Sequence, residues 1–415
     1  MIFQQALVGT SGSNVKLHNL RAILLTLLRH QNISRVRLAE LTGLSTTTIT
    51  NLTAELVAQG MVAEMGTEHP HRRRGVGRPR RALQLVPGAG HALGVHIGVG
   101  SLRITLTDLL ARPLTMHAIA HELDRSPREV LDAALNSVNA IVAESGIAPE
   151  TIVGVGVGAS GLVDPLNGVN VLAPNLGWRD VPIRQWVAER LPYPVCVDNN
   201  VRAMALAEAL FGQGQGVAAL AFVYARVGVG AGLVLGDQLY HGAGAGAGEI
   251  GHTTILNHGD ECRCGNRGCL ETLVSEPALV AQARALAAKA PDGDLAHALH
   301  ATPNDRMAAI FAAAAQGDAA TRAMLADRAR YMGIALANLV NVLNPDLIVM
   351  GGLFAQGREW LLPATEATLR KCAFANMGQR ARLTTTTFGR DVGAIGAATL
   401  ALSAFFYQQI DSMAH

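Results

Sequence analysis

Apolar residues recur at helical spacing near the start of the chain. Leu17, Leu20, Ile23, Leu24, Leu27 and Leu28 follow a three- and four-residue rhythm, which predicts one amphipathic helix over 15–29. Ser34 can cap a second helix that runs to Leu41 and stops at Gly43. Ser45 can cap a third, in which Ile49, Leu52 and Leu56 face inward while Thr46, Thr47, Thr50 and Asn51 face out. After Gly60 the rhythm shortens, and MVAEMG and RALQLV read as two strands joined by HPHRRRGVGRPR. Pro87, Gly88 and Gly90 then mark a boundary. From Ala92 onward the pattern alternates strands with glycine turns. ALGVHIGVGSLRITLTDLLARPL predicts a hairpin, 126–144 a helix, and TIVGVGVGASGLVD a buried strand entering a tight loop. AALAFVYARVGVGAGLVLGDQLYHG predicts a second glycine-turned hairpin, and NPDLIVMGG a strand ending in paired glycines. Two such hairpins, each followed by helices, predict an α/β body of two similar lobes. Glycines at these turns let backbone approach a ligand closely, often a phosphate.

Charge changes how the first 87 residues are read. They hold eleven Lys and Arg against four Glu, a balance of +7 in a chain whose net charge is +2, so the rest is mildly acidic. A basic head on an acidic body suggests that the head alone meets a polyanion. Helix, glycine turn and helix form the helix-turn-helix outline, with the third helix offering Thr46, Thr47, Thr50 and Asn51 to a major groove. Arg35 joins this candidate face. The segment between the two strands reads as a wing: Arg72, Arg73, Arg74, Arg78, Arg80 and Arg81 stand together without an acid and can neutralise phosphates. A three-helix interaction module with a solvated basic linker is the alternative reading. The chain has 415 residues and 49% hydrophobic content, but no uninterrupted apolar stretch long enough to span a bilayer. A soluble cytoplasmic protein without membrane partners is expected.

Five cysteines are too few and too odd in number for a disulfide framework. Three of them lie with a histidine in the spacing H-x9-C-x-C-x4-C, at His252, Cys262, Cys264 and Cys269. Three thiolates and an imidazole fill a tetrahedral shell, so zinc held structurally fits, with a redox thiol cluster as the other reading. Cys196 and Cys372 are assigned nothing.

Five segments together carry a family resemblance: GASGLVD (158–164), APNLGW (173–178), VDNNVRAMALAE (197–208), GEIGHTTILNHGDECRCGNRGCLE (248–271) and NPDLIVMGG (344–352). They resemble the ROK family of sugar kinases and repressors, and the winged helix ahead of them is similar to the repressor branch, which includes xylose and N-acetylglucosamine repressors. The resemblance implies an N-terminal winged helix-turn-helix at 1–87 followed by a two-lobed actin-like, ribonuclease-H-like ATPase-fold body. Its first lobe would comprise 88–200 and 381–415, and its second, with the zinc site, 201–380. It implies zinc at the four ligands, a sugar or sugar derivative held by Asn175, Asn199, Asn200, Glu249, His252 and Glu271, double-stranded operator DNA, and a homodimer or homotetramer. Two departures bear on activity. The kinase pattern carries a catalytic aspartate where this chain has Asn200, and a phosphate-loop aspartate where it has His96. An amide cannot take a proton from a sugar hydroxyl at neutral pH, so the expectation is a sugar-responsive regulator with no catalytic residues. An active sugar kinase with an added DNA-binding head, and a regulator whose body receives a signalling protein, are the alternatives.

Overall fold

The computed structural model describes residues 12–67 and 81–407. In the head, α1 (Gly12–Arg29), α2 (Arg35–Thr42) and α3 (Thr46–Ala58) precede strands Val62–Thr67 (β2) and Arg81–Leu85 (β3). Ser34 accepts a hydrogen bond from the Arg37 amide, and Gly43 closes α2 in the left-handed conformation. Ser45 caps α3 by accepting from Thr48 at 3.1 Å. One element was not anticipated: Ile33–Ser34 forms a short strand, β1, against β3, giving the sheet order β1-β3-β2. Two residues are too short to leave a period-2 signature. Leu24, Leu27, Leu38, Ile49, Leu56 and Leu83 make the dry centre of the head.

The body contains two sheets built alike. In the first, β4 (His91–Gly98), β5 (Ser101–Asp108) and β6 (Pro113–Ala120) run antiparallel, while β7 (Ile152–Ala159) and β11 (Val195–Asn199) run parallel to β4. Helix α4 (Pro127–Ser145) connects β6 to β7. A small antiparallel sheet of β8 (Leu162–Asp164), β9 (Val169–Ala173) and β10 (Trp178–Val181), with α5 (Ile183–Ala188), fills the crossover to β11. The second sheet repeats the plan. β12 (Ala219–Ala225), β13 (Val229–Leu235) and β14 (Gln238–Leu239) run antiparallel, and β15 (Leu347–Gly352) and β16 (Arg382–Thr385) run parallel to β12. The orders β11-β7-β4-β5-β6 and β16-β15-β12-β13-β14 correspond strand for strand. Helices α7 (Glu276–Lys289), α8 (Asp294–Ala301), α9 (Arg306–Gln316), α10 (Ala319–Leu343) and α11 (Arg358–Cys372) fill the crossover between β14 and β16. The expected return to the first lobe at 381 comes later, because β16 still pairs with β15 through Thr385.

Two further helices lie between the sheets: α6 (Asn200–Phe211), which follows β11 directly, and α12 (Val392–Ala401). Helix α12 packs on β4 and β7, α6 packs on β12 and β13, and the two touch each other. Glycines make this possible by removing the side chain from the contact. A Cβ at Gly156 in β7 would lie 1.8 Å from the Ala397 carbonyl of α12, and one at Gly396 would lie 2.7 Å from the Ala203 backbone of α6. All eight residues of β4 and of β7 are buried, as expected of strands covered on both faces.

The head is not tethered by a free linker. Its apolar core continues into Ala92, Leu109, Val153, Leu402 and Phe406 of the first lobe. The Leu109 amide donates to the Pro87 carbonyl at 3.0 Å, and the Tyr407 hydroxyl donates to the Leu109 carbonyl at 2.8 Å. Helix α1 lies against the final turn, Leu402–Tyr407, while Arg29 at its end pairs with Asp237 on the turn between β13 and β14. One helix thus touches both lobes.

The close approach at β7 gives a direct test. Gly156→Ala should lower the thermal unfolding midpoint by about 5 °C or more, in line with overpacking costs of about 3 kcal/mol, because the new methyl meets buried backbone. Gly66→Ala, where a Cβ meets nothing within 4 Å, should leave the midpoint unchanged in the same calorimetric scan.

Candidate ligand cleft, metal centre and nucleic-acid face

A cavity of about 620 Å³ lies between the lobes. It takes walls from the ends of β4 and β7, the start of α6, the turn between β12 and β13, and the loop bearing the cysteines. Asn175, Asn199, Asn200, Glu249, His252 and Glu271 all line it. The topology thus brings together six residues spread over 97 positions of sequence, because the strand-to-helix junctions of both lobes open on one cleft.

The two asparagines divide their work. Asn199 is the N-cap of α6: its Oδ1 accepts from the Val201 and Arg202 amides at 2.8 and 3.1 Å, and its Nδ2 donates to the Gly161 carbonyl at 2.8 Å. Its side-chain oxygen therefore serves the backbone, while the amide nitrogen, with one of its two N–H donors given to Gly161, still lines the cavity. Asn200 donates through Nδ2 to Ser160 Oγ at 3.1 Å and to His96 Nε2 at 3.3 Å. His96 is buried, and burial first, with Arg226 and Arg103 nearby, pushes its pKa down to about 4. It stays neutral at physiological pH. Accepting at Nε2 leaves its proton on Nδ1, which has no partner among the described residues.

Asp198 is turned away. Its carboxylate holds Arg202 Nη2 at 2.6 Å, Arg202 Nε at 2.7 Å and His241 Nε2 at 2.8 Å, and it is not part of the cavity wall. Arg202, 1% exposed, also donates to the carbonyls of Val163 and Ala245. Every face of this buried cation is matched, which is the condition under which burying it is tolerable.

At the other end of the cleft, ligand atoms of His252, Cys262, Cys264 and Cys269 all lie within 4.8 Å of one another. Cys264 and Cys269 sulfurs are 3.8 Å apart, and Cys262 Sγ is 3.7 Å from His252 Nδ1. A tetrahedral ion with sulfur bonds of about 2.3 Å needs sulfur edges of about 3.8 Å, so the donor set fits zinc in spacing and in softness. With four protein ligands no position is left for water. Cys196 is partly buried in β11, apart from this cluster, and the protein around its sulfur drives the thiol up to about 12. The cysteine loop is shaped by the Cys262 amide bonding the Asn266 carbonyl at 2.7 Å and by a bridge between Thr254 and Cys269.

Glu249 and Glu271 flank the cluster. Glu271 accepts the Val229 amide at 3.0 Å, which ties it to the start of β13. Glu249 is reached by water from the open cavity, yet protein surrounds its carboxyl, and this desolvation raises its pKa above the ordinary value. Both present carboxyl oxygens to the cavity.

Residues 92–404 match the ROK family. The chain belongs to the ROK family. Residues 17–63 separately match the winged helix-turn-helix DNA-binding family. The putative xylose repressor of Caldicellulosiruptor sp. (strain Rt8B.4) is 32% identical over 389 residues, covering 94% of this chain and 96% of the relative. A crystal structure of a ROK family transcriptional regulator, a homologue of the Escherichia coli Mlc protein, superposes with a TM-score of 0.81 at 27% identity, over 96% of this chain and 98% of that one. A ROK family glucokinase from Streptomyces griseus, in complex with glucose and AMPPNP, superposes at 0.67 and 29% identity, over 76% of this chain and all of its own.

In this ROK chain the helix-turn-helix presents Thr46, Thr47, Thr50 and Asn51 on the exposed side of α3. Arg35 is placed differently from the expectation. Its Nε donates to Thr53 Oγ1 at 3.0 Å and its Nη2 meets Glu64 at 2.7 Å, so it braces α2 against α3 and β2. Arg81 meets the other oxygen of Glu64 at 2.5 Å, and Arg81 and Arg35 together hold that carboxyl below the ordinary range. Arg72, Arg73, Arg74, Arg78 and Arg80 lie outside the described residues. Sequence reasoning passed over several residues on the cleft wall, namely Ser160, Arg179, Tyr224, Arg226 and Arg263. Arg263 had a usable signal, since it stands between two metal-ligand cysteines; the others had none.

Replacing Cys262 by Ser should reduce bound zinc from one ion per chain to a small fraction. It should also lower the unfolding midpoint, measured by metal analysis and calorimetry on the same sample; a fully zinc-loaded variant would contradict the four-ligand site.

Proposed function

We propose that this ROK chain is a sugar-responsive DNA-binding transcriptional regulator, a repressor of carbohydrate-utilisation genes whose kinase chemistry has been lost. The observation that carries the reading is the asymmetry of the cleft. Acceptors suited to sugar hydroxyls, Glu249 and Glu271, stand at the zinc end, while the end where the kinase pattern carries its aspartates presents an amide and a neutral imidazole. A sugar can be held there, but no carboxylate at Asn200 or His96 is present to accept its proton or organise a magnesium ion. Asp198 does not substitute, since Arg202 and His241 occupy it. Glucokinase likeness in the body favours phosphoryl transfer as the rival reading.

Zinc, held by His252, Cys262, Cys264 and Cys269, supplies no catalysis here. It would fix the loop that aims Glu249 and Glu271. Sugar binding favours one lobe angle over another, and α1 is placed to feel the difference, being packed on Leu402–Tyr407 and paired through Arg29 to Asp237 of the second lobe. Two heads in a homodimer or homotetramer reading a palindromic operator must stand about 34 Å apart or a multiple of it, so a change in head position alters affinity. A coupling of about 1 to 3 kcal/mol corresponds to roughly 5- to 150-fold in operator affinity.

The test is a thermal-shift panel of pentoses, hexoses, amino sugars and their phosphates, followed by operator binding with and without each hit. One ligand class should stabilise the protein and shift DNA affinity within that range, and the native chain should phosphorylate none of them with ATP; steady ATP-dependent turnover would overturn the reading. In the same assay Arg29→Ala should bring the ligand-induced shift in operator affinity close to onefold while sugar affinity is retained.

A further inference from the structure

Arg263 stands between the metal ligands Cys262 and Cys264 on the second lobe, and its Nη1 donates to Asn175 Oδ1 of the first lobe at 2.9 Å. Both residues line the cavity. Of the two acids on the same loop, Asp260 and Glu261, the latter pairs with Arg267 and not with Arg263. A guanidinium has donors only, so the amide must present its oxygen to Arg263, which leaves Nδ2 as its free end. That end points inward: a Cβ built on Gly228 would lie 3.4 Å from Asn175 Nδ2 and 3.2 Å from Glu271 Oε2. The amide of one lobe and the carboxylate of the other therefore flank the same glycine, which has no side chain to fill the space between them.

We propose that Arg263 is a positioning and specificity-determining residue, a clasp carried by the zinc loop that locks Asn175 with its amide donors facing the ligand. The proposal rests on the sugar-binding reading of the cleft. With Arg263 in place the zinc end offers a donor at Asn175 beside acceptors at Glu249 and Glu271, a pattern that selects a polyol able to accept at one hydroxyl and donate at its neighbours. Without it the amide is free to turn its oxygen toward Glu271, where two acceptors face each other and a hydroxyl loses its donor. The same bond ties the metal loop to the opposite lobe, so metal, ligand and lobe closure act on one element.

The zinc-loaded full chain, Arg263→Ala, Arg263→Lys and Asn175→Asp are compared by metal content, by amide hydrogen exchange across 175–178, and by calorimetry with D-xylose, D-glucose and N-acetyl-D-glucosamine. Arg263→Ala should keep one zinc per chain, exchange about tenfold faster across 175–178, and bind the sugar that the native chain binds about tenfold more weakly. Arg263→Lys should recover part of both. Asn175→Asp should keep slow exchange, since a carboxylate still accepts from Arg263, yet lose sugar affinity because it carries no donor. Unchanged exchange and affinity in Arg263→Ala would overturn the clasp, and so would loss of zinc in both Arg263 variants, which would place the residue in the service of the metal loop alone. If none of the three sugars binds the native chain, the sugar reading fails on that arm, while the exchange arm still decides whether Arg263 clasps Asn175.

Discussion

The close approach of α6 and α12 is the contact from which the rest of the body takes its geometry. Each helix packs on its own sheet, and they meet where Gly396 leaves backbone facing the backbone of Ala203. Interiors this dense transmit displacement instead of absorbing it. Asn199 and Asn200 open α6 at the floor of the cleft, so the ligand site begins at one end of this helix pair. The last turn after α12 carries the head. A single packed unit therefore joins the place where a small molecule can bind to the place where the DNA-binding module is seated.

The polar chemistry of the cleft follows from how each charge is matched. Asp198 and Arg202 are buried and neutralise each other, with carbonyls taking the remaining guanidinium donors, so neither is available for reaction. His96 is buried without a carboxylate partner and remains neutral. At the end that bears His252, Cys262, Cys264 and Cys269, Glu249 and Glu271 present carboxyl oxygens to the open cavity.

Seating the head by a continuous apolar core as well as an ion pair has a mechanical consequence. Leu402 and Phe406 belong to the same buried cluster as Leu24 and Leu27, whereas the contact to the second lobe through Arg29 and Asp237 is polar and partly solvated. The head is thus seated on the first lobe by buried apolar contact and touches the second through a partly exposed ion pair. Coupling of this kind needs two lobe angles of similar free energy, biased by a ligand with differential affinity for them.

The sequence by itself determined the elements and the chemistry that local rules govern. Ser34 and Ser45 announced helix starts, the glycine turns announced two similar hairpins, and the crowding of His252, Cys262, Cys264 and Cys269 announced a soft tetrahedral site, because capping, turn geometry and ligand spacing are set by neighbours in the chain. The tertiary structure decided what those neighbours could not. It placed Arg35 on Glu64, gave the Asn199 side-chain oxygen to the cap of α6, kept β16 in the second sheet, and brought Arg263 across the cleft to Asn175. Each of these depends on a partner distant in sequence, and such pairings are fixed only when the sheets and the two central helices close on one another.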